Sequence, residues 1–248
     1  MARITAVCLT LGRPHLLAQM IRQFELQTYQ DRELLIIDTG NHIQPQTGDR
    51  WRLRQLGRVD TEMWRTMNEL VRETDTEFVC KMDDDDNYAP WHMAAVVDAL
   101  DRGPWAVPSV VWDNAGAQVG APLVATATHA PGRNDHCYAG AWAYRRAAFD
   151  AVGGYSPHGV NEGECEFRNK LLRTFGPPAD TISERYPQPS YIYRRGRSWQ
   201  ASLLQNDPRE TMRLRTAKYE PVGVITPTWP DNYLEGLPTD GVVHPRAW

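Results

Sequence analysis

Residues 78–88 read Phe-Val-Cys-Lys-Met-Asp-Asp-Asp-Asp-Asn-Tyr, an apolar run that ends abruptly in four consecutive carboxylates. Like charges this close repel, and burying them without partners is costly. The stretch therefore predicts a buried strand whose carboxyl end stands at a surface or a cleft. A divalent cation offsets the repulsion, because hard cations prefer carboxylate oxygens. Taken alone, the run fits two pictures. One is a solvated acidic turn. The other is a set of acids presented to a metal that holds a phosphate-bearing ligand.

The residues on either side set the frame around that strand. Arg3 to Leu9 is short, apolar and rich in β-formers, which predicts a buried strand. Thr10-Leu11-Gly12-Arg13-Pro14 breaks it. Pro14 suits the first turn of a helix running to about Gln27, with Leu16, Leu17, Met20, Ile21 and Phe24 on its apolar face. Glu33 to Asp38 is a second buried strand. Strand, helix and strand in this order form a right-handed βαβ unit, and ligands gather at the carboxyl ends of such strands. Asp38 and the acids at 83–86 then share one edge. Residues 41–58 predict a loop with a weak strand near Trp51–Leu56. Glu62 to Glu73 has helical period, with Met63, Met67 and Leu70 on one face.

Beyond the acids, Trp91 to Leu100 predicts a helix. Trp105 to Trp112 predicts a strand that Pro108 demotes to an edge or bulged position. Residues 113–135 fit a hairpin or a mobile loop. Tyr138 to Tyr144 predicts a strand, Arg146 to Val152 a short helix stopped by Gly153-Gly154, and 155–161 a loop. Glu162 to Phe175 predicts a helix ended by Gly176-Pro177-Pro178, Ser190 to Tyr193 a short strand, and Asp207 to Lys218 a helix. The expected organisation is a single α/β domain over 1–219, with a nucleotide-facing half (1–112) and an acceptor half (113–219). A proline-rich extended tail follows at 220–248.

Composition narrows the function classes. Hydrophobic content of 42% in 248 residues supports a real core, and the net charge of −4 argues against a global nucleic-acid field. No apolar segment approaches a membrane span, and no signal-peptide pattern opens the chain, so the expectation is a cytoplasmic protein. Cysteines 8, 80, 137 and 165 form no C-x-x-C pair, and the seven histidines show no zinc spacing. Cys8 and Cys80 read as buried thiols in a reducing setting. Most of the nine tryptophans read as core.

Several short motifs, taken in order, carry a resemblance. They are Thr10, Arg13-Pro14, Gln27-Thr28-Tyr29, Asp38, Asn68, Met82 to Asp86, Tyr144-Arg145-Arg146, Val152-Gly153-Gly154-Tyr155, and Glu162-Gly163-Glu164-Cys165-Glu166-Phe167. Over roughly 3–205 the chain resembles family-2 glycosyltransferases of the A-type fold (GT-A), a Rossmann-like, mostly parallel sheet flanked by helices. The resemblance implies an enzyme that moves a sugar from a UDP-sugar, with inversion, using Mn2+ or Mg2+. Asp85 is then the metal ligand. Asp83 and Asp84 hold the ribose or reach the metal through water. Thr10, Arg13, Asp38, Arg65 and Asn68 line the donor pocket. Two departures stand out. Glu164 occupies the place where the family's acidic box usually carries Asp, and Gln200 stands where a histidine often follows Tyr-x-Tyr-Arg.

On that reading Glu164 is the base that takes the acceptor's proton, with Glu162 and Glu166 as rivals and His136 or His158 next in line. The segments 113–136 and beyond 195 are expected to close over the donor. The sequence leaves the acceptor open: a glycan, a protein, a small molecule or a hydroxylated base in DNA, with Arg194, Arg195 and Arg197 available to phosphates in the last case. Two other readings keep the residues but change the role. One is a nucleotidyltransferase of related fold, though its usual Gly-rich phosphate loop is missing. The other is a non-catalytic nucleotide-sugar-binding module.

Overall fold

A computed structural model describes residues 3–10, 14–57, 63–113, 124–127, 138–157, 160–193 and 221–224. The first βαβ unit forms as the apolar pattern requires. Strand β1 (Ile4–Thr10) is buried throughout, helix α1 (Pro14–Glu25) crosses over, and β2 (Arg32–Asp38) lies parallel to β1 with Thr10 opposite Asp38. A short β3 (Gln46–Gly48) turns back into β4 (Trp51–Gln55), which extends the sheet parallel to β2. Helix α2 (Met63–Arg72) leads into β5 (Phe78–Lys81), parallel to β1 on its other side.

The acidic turn separates β5 from β6 (Asn87–Tyr88), and α3 (His92–Arg102) follows. Pro108 does more than bulge a strand. It divides the apolar run into β7 (Trp105–Val107) and β8 (Val110–Asp113), which join different sheets. β7 is interior rather than an edge, between β10 (Ala143–Arg145) and β11 (Ala179–Asp180). The strand expected over Tyr138–Tyr144 is likewise shorter. A 3-10 turn at Ala139–Ala141 precedes β10, because the chain must bend round the acidic turn before pairing antiparallel to β5. Helices α4 (Arg146–Ala151) and α5 (Val160–Phe175) complete the helical set among the described residues.

The main sheet has eight strands in the order β11-β7-β10-β5-β1-β2-β4-β3. A second sheet has five, ordered β13-β9-β8-β12-β6, with β9 (Val124–Ala127), β12 (Tyr191–Tyr193) and β13 (Pro221–Val224). This is the mixed, largely parallel α/β architecture expected. The expected extended tail contributes β13, paired antiparallel to β9. The turn at 11–13, most of 113–135 and the helix expected at 207–218 lie outside the described residues.

Two clusters form the core, one on each face of the main sheet. Met20, Phe24, Met93 and Leu100 pack on one face, and Met67, Val71, Phe149 and Phe167 on the other. Cys8 and Cys80 are buried and not disulfide-bonded, and burial pushes the Cys80 thiol up to about 12. Arginines close the helix ends. Arg145 donates to Leu100 O at 2.7 Å in the last turn of α3. Arg146 donates to Val71 O and Thr74 O at 2.8 and 2.7 Å, at and just beyond the end of α2. A guanidinium at these carbonyls satisfies orphan acceptors and opposes the helix dipole.

His92 is buried, with Nδ1 2.9 Å from Ser190 Oγ and its ring 4.9 Å from that of Tyr88. Burial lowers its pKa to about 3 from 6.5, so it is neutral in the fold. As pH falls below the unfolded value, the unfolded chain takes up a proton that the folded protein refuses. The stability this ring contributes is therefore complete above about pH 6.5 and is lost on acidification. Between about pH 7 and pH 5, denaturant unfolding should show the wild type losing about 2 kcal/mol more than His92→Gln. Parallel pH profiles for the two proteins would contradict this.

Candidate active site

The carboxyl ends of β1, β2 and β5 meet at one edge of the main sheet, and the acidic turn sits there. Met82 N still donates to Val7 O at 3.0 Å, so sheet pairing holds until the acids begin. The four aspartates then divide. Asp84 is fully buried and accepts from Thr10 Oγ1 at 2.6 Å. Asp86 is buried and accepts from the Tyr191 hydroxyl at 2.5 Å. Burial first, and the Asp86 carboxylate second, hold the Tyr191 phenol well above its ordinary pKa, so it stays a donor. Asp83 and Asp85 are only partly buried. The turn thus directs alternate carboxylates inward and leaves the other two at the edge.

Neighbouring elements fix the turn from outside. The Tyr88 hydroxyl accepts from Asp83 N at 2.6 Å and donates to Gly140 O at 3.1 Å. A Cβ at Gly140 would stand 2.8 Å from Asp86 Oδ2, 2.9 Å from Asp83 Oδ2 and 3.0 Å from the Tyr191 hydroxyl, so a side chain there would displace these groups. Gln23 on α1 donates to Asn87 Oδ1 at 2.5 Å and accepts from Tyr88 N at 2.8 Å. Gln27 donates to Ala89 O at 2.9 Å and accepts from Met93 N at 2.9 Å. The Gln-Thr-Tyr motif is therefore a brace that seats the exit of the acidic turn.

Lys81, the last residue of β5, lies beneath. Its side chain is only 3% exposed, and Nζ is 2.5 Å from Glu164 Oε1 and 3.5 Å from Asp83 Oδ2. Burial alone would lower its pKa. Asp83 and Glu164 together outweigh that and hold it above the ordinary lysine value, so it is an ammonium. Glu164 stands on α5. Three residues on, Phe167 is wholly buried against Tyr155 (ring centroids 4.2 Å apart) and Tyr144 (5.2 Å), which fixes the helix on the sheet. Glu166, its rival, pairs with Arg173 instead. Glu162 lies in the first turn of the same helix, which begins at Val160.

Other residues predicted for the donor pocket are placed as follows. Asp38 is fully buried and accepts from Gly40 N at 3.0 Å and Ile43 N at 2.6 Å, so both oxygens shape the turn after β2. Asn68 is buried, with its amide donating to Tyr155 O at 2.9 Å and accepting from Tyr155 N at 2.8 Å. Gly154, just before Tyr155, has φ +70°, and a Cβ there would meet Asn68 Oδ1. Asn68 and Gly-Gly-Tyr are thus one structural clasp, and this amide is committed to backbone. Arg65 is exposed, its guanidinium 5.5 Å from the centroid of the Trp64 ring. Arg13, His136, His158 and Gln200 lie outside the described residues.

Sequence reasoning passed over Lys81, Tyr88, Gly140 and Tyr191. Lys81 alone carried a signal: a single cation inside an apolar strand, two residues before the acids, needs buried counter-charges.

The two partly buried carboxylates suit a hard divalent cation. Mg2+ and its like take one or two protein carboxylates and fill the other positions with phosphate oxygens and water. Among the described residues no group of three or more His, Cys, Asp and Glu side chains forms a complete protein cage. Asp83 and Asp85 are the residues of the turn that could hold such a shared ion.

No protein-family model matches the chain, and no curated protein sequence does. Solved structures do. S. aureus TarS 1-349 in complex with UDP-GlcNAc superposes with a TM-score of 0.62 at 13% identity, covering 87% of this chain and 66% of that one. The same TarS region in complex with UDP gives 0.61 at 13% identity, covering 79% and 61%. The mannosyltransferase PcManGT from Pyrobaculum calidifontis, in complex with GDP-Man and Mn2+, gives 0.54 at 14% identity, covering 86% and 64%. The chain spans about three fifths to two thirds of the length of these proteins. Its fold is the A-type glycosyltransferase fold.

Proposed function

We propose that this protein is a metal-dependent, inverting glycosyltransferase that moves a sugar from a UDP-sugar to an acceptor hydroxyl. One observation carries the reading. The acidic turn binds Asp84 and Asp86 into the fold and leaves Asp83 and Asp85 at the sheet edge where β1, β2 and β5 end. That is where open α/β sheets bind ligands. The likeness in fold to TarS with UDP-GlcNAc and to PcManGT with GDP-Man and Mn2+ supports a nucleotide-sugar donor and a divalent ion.

In this reading the nucleoside lies along the ends of β1 and β2, over the turns that Thr10 and Asp38 hold. Arg13, and Arg65 on α2, complete that side. Asp85 holds the ion, with Asp83 in reach of it or of the ribose. The ion supplies Lewis-acid neutralisation of the leaving diphosphate. Glu164 faces the same edge from α5 and accepts the proton of the attacking hydroxyl, the one general-base step that inversion needs. The acceptor approaches from the α5 side. Among the described residues no helix is long and apolar enough to cross a membrane.

Two outcomes test this reading. Calorimetry should give UDP binding with Mn2+ or Mg2+ that is lost with chelator and in Asp85→Asn, while circular dichroism shows that variant folded. Equal UDP affinity with and without chelator would count against the metal. Glu164→Gln should slow transfer by about 10²–10⁴-fold, roughly 3–5 kcal/mol of transition-state stabilisation, with UDP affinity unchanged. Near-normal transfer in Glu164→Gln with a dead Glu162→Gln or Glu166→Gln would move the role to that neighbour.

A further inference from the structure

Lys81 has no place in the mechanism above, yet it is a buried cation in the site with two carboxylates in reach. The other residues of β5, Phe78, Val79 and Cys80, are buried and uncharged, and a fourth apolar side chain would continue the pattern. Replacing a buried ion pair by apolar packing is often neutral or stabilising, so fold stability alone gives little reason for a lysine here. Its location points elsewhere. Its backbone ends the strand that delivers the acidic turn, and its ammonium crosses to the helix that carries the proposed base.

The geometry is directional. Nζ engages one carboxylate oxygen of Glu164, Oε1, at 2.5 Å. Among the described residues Oε2 makes no hydrogen bond. Glu164 keeps 26% of its side chain exposed, while Lys81 keeps 3%. The buried ammonium therefore anchors Oε1 of a glutamate whose side chain is otherwise partly exposed. The same Nζ reaches Asp83, so a single group spans from the donor-side turn to α5. A flexible glutamate at a partly open position would otherwise sample several rotamers and lose side-chain entropy each time it met the acceptor.

We propose that Lys81 is a positioning residue: it anchors Oε1 of Glu164, directs Oε2 at the acceptor hydroxyl and sets the distance between base and donor. This rests on the glycosyltransferase reading. A mispositioned base of this kind costs on the order of 10²-fold in rate without any lost contact to donor.

The experiment uses the full chain in four forms: wild type, Lys81→Met, Glu164→Gln and the double variant, with Lys81→Gln and Lys81→Arg as companions. Activity is donor turnover with Mn2+, using whichever of UDP-glucose, UDP-GlcNAc and GDP-mannose the wild type consumes fastest. The same proteins are unfolded with denaturant. Lys81→Met and Lys81→Gln should lower kcat by about 10²-fold with donor KM and UDP affinity within about twofold. Lys81→Arg should recover part of the rate. The double variant should be no slower than Glu164→Gln, because Lys81 acts through that carboxylate.

Three results overturn the proposal: unchanged kcat in both neutral variants, losses that multiply in the double variant, or a loss of UDP affinity as large as the loss of rate. The unfolding data separate this inference from the reading beneath it. If the wild type turns over no donor, the glycosyltransferase reading fails. Even then, independent effects of Lys81→Met and Glu164→Gln on stability would show that the pair does not form, and coupled effects would show that it does.

Discussion

Every ionised group in the interior of this site has to be given a counterpart, and the structure follows from how that is done. A buried strand that ends in four acids cannot simply stop in the protein. Thr10 takes Asp84 and Tyr191 takes Asp86, so two of the acids become internal hydrogen-bond acceptors. Lys81 neutralises Asp83 from below and brings Glu164 with it. Each solution draws in a different element: β1, β12, β5 and α5. The acidic turn is thereby the junction at which both sheets and α5 are registered to one another.

The rest of the fold holds that junction at fixed distances. Gln23 on α1 and Gln27 just beyond its end clamp the residues after the turn, and Arg145 and Arg146 tie β10 and α4 to the ends of α3 and α2. Asn68 grips the backbone of Tyr155, whose ring stacks on Phe167 of α5. These bonds are mostly from side chain to backbone and buried, where a lost partner leaves an unsatisfied group. Asp38 and Asn68, both predicted for the donor pocket, spend their polar atoms on backbone groups and so belong to the frame around the proposed contacts, Asp83, Asp85 and Glu164.

What could be read in the sequence follows from which forces are local. Apolar strands β1, β2 and β5 and the amphipathic helices α1 to α3 announce themselves by period, and their ends were placed within a few residues. The acids at 83–86 were visible because four adjacent carboxylates demand an explanation. Pro108 was visible as an interruption, but not that its two flanks would enter different sheets, since strand pairing is set by distant partners. Asn68 and Asp38 were recognisable as special residues, and their work on backbone amides was not, because such bonds depend on where Tyr155 and Ile43 arrive in space. Of the two counter-charges of Lys81, Asp83 is two residues away, and Glu164 lies 83 residues further on.

A crystal structure of the protein with UDP and Mn2+ tests the central claim most directly. It should show the diphosphate and the metal at the edge formed by Asp83 and Asp85, with Glu164 facing the terminal phosphate, where the sugar's anomeric carbon would be. The opposite, amino-terminal ends of the strands carry a depression lined by Arg3, Arg32 and Arg50 together with Asp31 and Glu33. A diphosphate bound there, with the acidic edge empty of metal, would contradict the account.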